Sequence, residues 1–139
     1  MATLERAIEI AAKAHAGQTD KAGEAYILHP LRVMLSLTTE NERIAGVLHD
    51  VLEDTNVTLE QLESEGFANE VLVALVALTK EKGESRMQAA ARAKKDPIAR
   101  AVKLADNKDN SNISRIKSPT EKDFARLEEY RAVRELLLS

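Results

Sequence analysis

The sequence predicts an all-α fold. Apolar residues recur three and four apart along most of the chain, and no segment alternates apolar and polar side chains as a half-buried strand would. Gly, Pro and capping residues cut the periodic stretches into helix-sized pieces. The 139 residues are enough for one compact domain with a hydrophobic core, expected to span 1–139.

Leu4, Ile8 and Ala11 open a first helix, and His15 extends the same stripe, which marks it as a core histidine with a satisfied ring. Gly17, Gly23 and Pro30 put a loop over 16–30. Pro30 suits the first turn of a helix over "PLRVMLSL", where its missing N–H would be unpaired anyway. "TTENERIAGVLHDVLED" reads as one helix, entered through a Thr39–Glu42 capping box. Thr58 and Gln61 mark a second such start before "LEQLESEG", which Gly66 ends. Phe67, Val71, Ala74, Leu75 and Leu78 form the next stripe. "VLVALVAL" alone could be a buried strand, but the Phe67 extension and the alanines favour helix. "TKEKGES" is a polar break before "RMQAAARAKK". Asp96–Pro97 then caps and opens "DPIARAVKLADNKDN", and Phe124, Leu127, Tyr130, Val133 and Leu137 mark a last helix after Pro119.

Composition narrows the function classes. The net charge is −3 with both signs interspersed, so no electrostatic argument favours nucleic acid or an anionic membrane, though a small local basic patch can still serve one anionic ligand. There are no cysteines, which removes disulfides and thiolate metal sites. No basic region followed by an apolar stretch opens the chain, and the longest apolar run, 71–78, is far shorter than the roughly 20 residues of a membrane helix. The expected setting is the cytoplasm.

The chemistry concentrates in "GVLHDVLED", 46–54. On a helix His49 and Glu53, Asp50 and Asp54, and Asp50 and Glu53 would share one arc, set among Val47, Leu48, Val51 and Leu52. Three carboxylates crowded beside apolar residues repel one another and lose hydration. A divalent cation is the simplest counter-charge, and neutral imidazole is a good ligand for Mn, Fe or Zn. His29, ahead of Pro30, and Asp106, in the apolar context "VKLAD", complete a set of two imidazoles and two carboxylates; Asn110 lies four residues beyond Asp106.

With these motifs in order along the chain, the sequence resembles the HD-domain metal-dependent phosphohydrolases, and within them the hydrolase domain of the RelA/SpoT alarmone enzymes and the stand-alone small alarmone hydrolases. The resemblance runs through "AHAGQTDKAGEAYILHP", "AGVLHDVLEDT", "VTLEQLESEGF", "ALTKEKGES", "DPIARAVKLADNKDN" and "PTEKDFARLEEY". It implies a helical HD bundle in which His29, His49, Asp50 and Asp106 ligate one metal, Mn²⁺ by preference. Glu53 and Asp54 match the pair that positions and deprotonates the attacking water. Lys21, Asn110, Arg126 and Tyr130 match positions near the nucleotide, and His15 matches a motif histidine that is not a ligand. The implied reaction removes the 3′-pyrophosphate from (p)ppGpp, giving GDP or GTP.

Three departures bear on the substrate. The family carries Arg–Lys after "HxGQx", with the arginine against guanine, where this chain has Asp20–Lys21; an acid neither stacks on a base as a guanidinium does nor attracts phosphate. Asn107 follows "LAD" where arginine is common, and "RMQAAARA" replaces the tyrosines that follow "GES" in single-domain relatives. The sequence therefore also admits a phosphohydrolase acting on an adenosine alarmone, an NADPH 2′-phosphate or a nucleotide monophosphate, and a non-catalytic metal- or nucleotide-binding module.

Overall fold

The computed structural model describes residues 2–139. In chain order the helices are α1 (Leu4–Ala14), α2 (Leu28–Leu35), α3 (Glu40–Leu48), α4 (Val51–Asp54), α5 (Leu59–Glu65), α6 (Asn69–Leu78), α7 (Arg86–Lys94), α8 (Pro97–Asn110) and α9 (Glu121–Leu138), with a 3₁₀ turn at Ile113–Arg115. Among the described residues there is no strand; one isolated bridge joins Thr19 and Ala25. No helix of the described residues is long and apolar enough to cross a membrane.

Local chemistry sets most of the boundaries. Thr39 with Glu42 and Thr58 with Gln61 make the expected capping boxes, and Ser85 with Gln88 and Thr120 with Asp123 make two more. Asp96 accepts the Ala99 N–H ahead of Pro97. Gly66 ends α5 at φ 91°, a left-handed conformation open to glycine at little cost.

α3 is the central helix, packed against α1, α2, α6 and α8, and α9 closes the bundle over α7 and α8. Ala7, Ala11, Val33, Val47, Leu48, Val51, Val71, Leu75 and Val102 are fully buried in the main core, and Ala90, Val133 and Leu137 form a smaller cluster under α9. Each large aliphatic chain so buried contributes roughly 1.5–3 kcal/mol. Gly46 lets α2 and α3 approach closely, because a Cβ there would lie 2.7 Å from Leu37 Cδ1.

Three boundaries differ from the sequence expectation, and the first two matter for the site. α2 starts at Leu28, so Pro30 is its third residue and His29 sits inside the first turn; the N–H that Pro30 lacks is still one of those the helix leaves unpaired. The single helix expected over 39–54 breaks at His49–Asp50. The His49 ring nitrogen Nδ1 donates to the Gly46 carbonyl at 2.6 Å, the acceptor a continuing helix would offer to the Asp50 N–H, and Asp50 takes φ −100°, ψ −5°. Phe67 is buried but precedes α6 rather than lying on it.

Candidate metal centre and substrate cleft

Two helices and one helix break bring His29, His49, Asp50 and Asp106 together. His29 comes from the first turn of α2, His49 and Asp50 from the α3–α4 break, and Asp106 from the third turn of α8. His29 Nε2 lies 2.9 Å from Asp106 Oδ1 and 3.8 Å from Asp50 Oδ2. His49 Nε2 lies 3.1 Å from Asp50 Oδ2 and 3.3 Å from Asp106 Oδ1. Both histidines and Asp106 are buried.

These four atoms fit a divalent cation on two grounds. Bonds of about 2.1 Å at octahedral or tetrahedral angles put neighbouring ligand atoms roughly 3.0–3.4 Å apart; the two His49 distances, 3.1 and 3.3 Å, fall in that range, and the 2.9 Å between His29 and Asp106 lies just below it. The outer nitrogens are also committed elsewhere: His49 Nδ1–H donates to Gly46 O and His29 Nδ1–H to Asp109 Oδ2, both at 2.6 Å. Each ring therefore keeps its Nδ1 proton when neutral and can turn an Nε2 lone pair to a cation in the cluster, the tautomer a metal requires.

The electrostatics of the metal-free protein agree. Burial disfavours charge on both rings, but hydrogen bonds from His29 to Asp106 and Asp109 outweigh it and raise His29 to about 9. His49 rises likewise against burial, through the charge of Asp50 and its bond to Asp106. Asp50 and Asp106 stay ionised despite burial because the same imidazoles hold them. Two imidazolium protons thus balance two buried carboxylates, and a divalent cation would supply the same two charges while displacing both protons.

Glu53 and Asp54 lie beside the cluster, and Asp50, Glu53 and Asp54 each bring a carboxylate oxygen within 4.8 Å of one another. Their surroundings separate them. Glu53 Oε1 accepts the Lys80 N–H at 2.8 Å, fixing the start of the α6–α7 loop. Asp54 is raised above the ordinary aspartate value, first by partial desolvation and then by the charges of Asp50 and Glu53.

The expected nucleotide-site residues converge on one side. Lys21, Asn110, Arg126 and Tyr130 all line a cavity of about 310 Å³ that reaches His29. Lys21 is half exposed and pairs with Asp123 at 3.5 Å. Asn110 Nδ2 donates to Asp106 Oδ1 at 3.1 Å, so it touches a cluster carboxylate as well as the cavity. The departures at Asp20 and Asn107 have structural uses. Asp20 Oδ1 accepts the N–H groups of Ala22 and Glu24 at 2.9 and 3.0 Å, shaping the α1–α2 loop. Asn107 is buried and donates to the Tyr130 carbonyl at 2.8 Å, tying α8 to α9. His15 is buried, as expected, with its Nδ1 2.8 Å from Gln18 Oε1, but its Nε2 is buried with no hydrogen-bond partner among the described residues, so the ring is only half satisfied.

Sequence reasoning missed two residues that hold the cluster in shape. Tyr26 donates its hydroxyl to Asp50 Oδ2 at 2.5 Å, and burial together with the Asp50 charge keeps that phenol protonated. Asp109 accepts His29 Nδ1–H, two N–H groups of Arg32 at 2.8 and 3.0 Å, and Arg115 at 3.4 Å. Helical spacing held a faint signal for Asp109, three residues after Asp106 on α8, but none for Tyr26, which lies in the turn before α2.

A helical bundle closing two histidines and two aspartates into one buried centre defines a class with a divalent-metal site. The chain belongs to the HD-domain family, whose model matches residues 7–138. It is 36% identical over 119 residues to a guanosine-3′,5′-bis(diphosphate) 3′-pyrophosphohydrolase of Aquifex aeolicus, covering 77% of this chain and 17% of the relative. It is 46% identical over 82 residues to the protein of the same name from Borreliella burgdorferi, covering 56% of this chain and 12% of the relative. A probable GTP pyrophosphokinase of Mycobacterium leprae is 33% identical over 135 residues, covering 86% and 17%. The chain thus spans less than a fifth of the length of these curated relatives. Among solved structures it resembles a metazoan ortholog of SpoT described as hydrolysing ppGpp, with a TM-score of 0.79 and 25% identity over 99% of this chain and 84% of that one.

Proposed function

We propose that residues 1–139 form a metal-dependent phosphohydrolase that removes the 3′-pyrophosphate from (p)ppGpp-type alarmones, with Mn²⁺ as the working ion. The observation that carries this reading is the convergence of His29 Nε2, His49 Nε2, Asp50 and Asp106 beside the Glu53–Asp54 pair. The relatives named above support the substrate class. Held by those four side chains, the cation would polarise a phosphoryl oxygen and lower the pKa of water at the site.

The chain's own groups do the remaining work. Asp54, raised by its surroundings, takes the proton from the attacking water as general base. Glu53, anchored by the Lys80 N–H, orients that water. A water oxygen bonds to the phosphorus, the O3′–P bond breaks, and the ribose oxygen leaves as a hydroxyl, taking its proton from solvent water while Asp54 holds the one drawn from the attacking water. Asn110 links Asp106 to the nucleotide cavity, where Lys21 and Arg126 offset phosphate charge and Tyr130 supplies a ring surface.

A second substrate has one observation behind it: Asp20 lines the nucleotide cavity, where a basic residue would favour guanine and phosphate. An adenosine alarmone, an NADPH 2′-phosphate or a nucleotide monophosphate is then the competing substrate for the same chemistry. The test is to incubate metal-stripped protein with ppGpp, ppApp, NADPH and nucleotide monophosphates, with and without Mn²⁺, using Asp50→Ala as the blank. Pyrophosphate release from ppGpp that needs both Mn²⁺ and Asp50 is the expected result. Turnover of another compound alone transfers the chemistry to that substrate. No turnover in any arm, with metal bound, overturns the enzyme reading in favour of a binding module.

A further inference from the structure

Asp54 ends α4, a helix of four residues and so barely more than one turn. A single turn does not hold itself in place, because fixing its backbone costs more than its few hydrogen bonds return. Those bonds run from Asp54 N–H to the Asp50 carbonyl at 2.9 Å and from Thr55 N–H to the Val51 carbonyl at 3.2 Å. Glu53 has an outside anchor in the Lys80 N–H. Among the described residues no group hydrogen-bonds the Asp54 carboxylate, so its direction is set by its backbone. That backbone is anchored by Gln18, whose Nε2 donates to the Asp54 carbonyl at 3.0 Å across 36 residues of chain. The carbonyl is one of those that a helix end leaves unpaired.

The Gln18 amide is itself aimed. A carbonyl can only accept, so the amide presents its NH₂ to Asp54 and its oxygen to the other side, where His15 Nδ1 lies at 2.8 Å. His15 Nδ1 therefore carries a proton and donates it to Gln18 Oε1. His15 is 1% exposed, and its Nε2 has no hydrogen-bond partner among the described residues. An unpaired ring nitrogen in the core is unfavourable, and an apolar side chain of similar size would avoid it. What an apolar side chain would lack is the Nδ1–H that turns the Gln18 amide. The same segment supports the other side of the cluster. The His15 ring lies 5.0 Å from the Tyr26 ring, Tyr26 N–H donates to the Gln18 carbonyl at 2.9 Å, and the Tyr26 hydroxyl donates to Asp50.

We infer that His15 and Gln18 are positioning residues for the general base: His15 aims the Gln18 amide, and the amide holds the α4 turn so that the Asp54 carboxylate faces the attacking water. This role rests on the hydrolase reading and deepens it. Neither side chain lines the nucleotide cavity, so both act on the rate of reaction rather than on substrate binding. Without His15 the amide is free to turn its oxygen toward the Asp54 carbonyl, where two acceptors repel and the anchor is lost.

The test compares wild type with His15→Leu and Gln18→Met, each apolar and close in volume to the residue replaced. Steady-state kinetics use the full chain with saturating Mn²⁺ and ppGpp, or whichever compound of the substrate panel wild type turns over. Each variant should lose roughly ten- to a hundredfold in kcat, with KM and Mn²⁺ affinity within about twofold of wild type. Added to Asp54→Asn, Gln18→Met should cost nothing further, because the group it positions is gone. His15→Leu should keep or raise Tm, since the unpaired Nε2 leaves with the ring. Hydrogen exchange read by mass spectrometry on the metal-free chain should show the amides of 51–55 exchanging faster in both variants, with the rest of the chain unchanged. Wild-type kcat in Gln18→Met, or a loss that adds in full to that of Asp54→Asn, overturns the role. A lowered Tm in His15→Leu with faster exchange throughout the chain also overturns it and leaves His15 a core residue only. If wild type turns over no compound, the hydrolase reading fails; unchanged exchange at 51–55 would overturn the brace whatever the turnover.

Discussion

Replacing Asp109 with asparagine tests whether the candidate metal centre depends on groups behind its proposed ligands. Oδ2 of Asp109 accepts His29 Nδ1–H and one Arg32 N–H, while Oδ1 accepts the second Arg32 N–H and Arg115. Burial opposes ionisation of this carboxyl, yet the bonds from His29 and Arg32 hold it well below the ordinary carboxylate range. Asparagine with its oxygen at the Oδ2 position keeps the bond to His29 but turns an NH₂ toward Arg32 Nε and Arg115. Two acceptor contacts and one charge are lost, and the His29 ring is held less firmly and made less basic. Loss of such a supporting group typically weakens metal binding 10- to 100-fold, or about 1.4–2.7 kcal/mol. Arg32 and Arg115 are about one-third exposed, so water recovers part of the lost pairing, and the stability cost should be about 1–2 kcal/mol. For a chain of this size that lowers Tm by roughly 3–8 °C. Calorimetric Mn²⁺ titration and a thermal melt of the metal-free variant read the two effects separately. A variant with lowered Tm but wild-type Mn²⁺ affinity would refute the argument and leave Asp109 as a structural clamp between α2 and α8.

Asp54→Asn should cut kcat by roughly a hundred- to ten-thousand-fold with Mn²⁺ affinity nearly unchanged; Glu53→Gln, which keeps an acceptor for the Lys80 N–H, should lose less, and steady-state kinetics with metal titration compare them. In the metal-free protein, His29 rises from an ordinary 6.5 to about 9, so its contribution to stability is fully present below about pH 6.5 and is lost as pH climbs through about 9. Scanning calorimetry with chelator should show Tm falling across that window, and Mn²⁺ affinity measured alongside should rise over it as protons cease to compete. Leu48→Ala, in the fully buried position before His49, should cost about 2–5 kcal/mol in denaturant unfolding.

Much of the fold was legible because its signals are local. Thr39 with Glu42 and Thr58 with Gln61 each settle a helix start within four residues, and Asp96–Pro97 does so within two. The apolar stripes likewise identified the helical stretches, since a helix period depends only on near neighbours. The histidine–aspartate pair in "GVLHDVLED" pointed to a candidate divalent-cation site through the oddity of carboxylates in apolar company.

Tertiary structure alone decided the rest. Helix periodicity over 39–54 gave no hint that the His49 ring would take the Gly46 carbonyl and break the helix, because a side chain competing for a backbone acceptor leaves no periodic trace. Beyond its helical spacing from Asp106, nothing in the sequence singles out Asp109; the packing of α2 on α8 sets it beside His29, 80 residues away in the chain. The cavity on the α7–α9 side of the His/Asp cluster, lined by Arg86, Lys103 and Asn107 among others, exists only where α7, α8 and α9 meet. Residue type and spacing establish what a side chain can do; which partner it meets across the bundle is set by how the helices pack, and that is a non-local property of the whole chain.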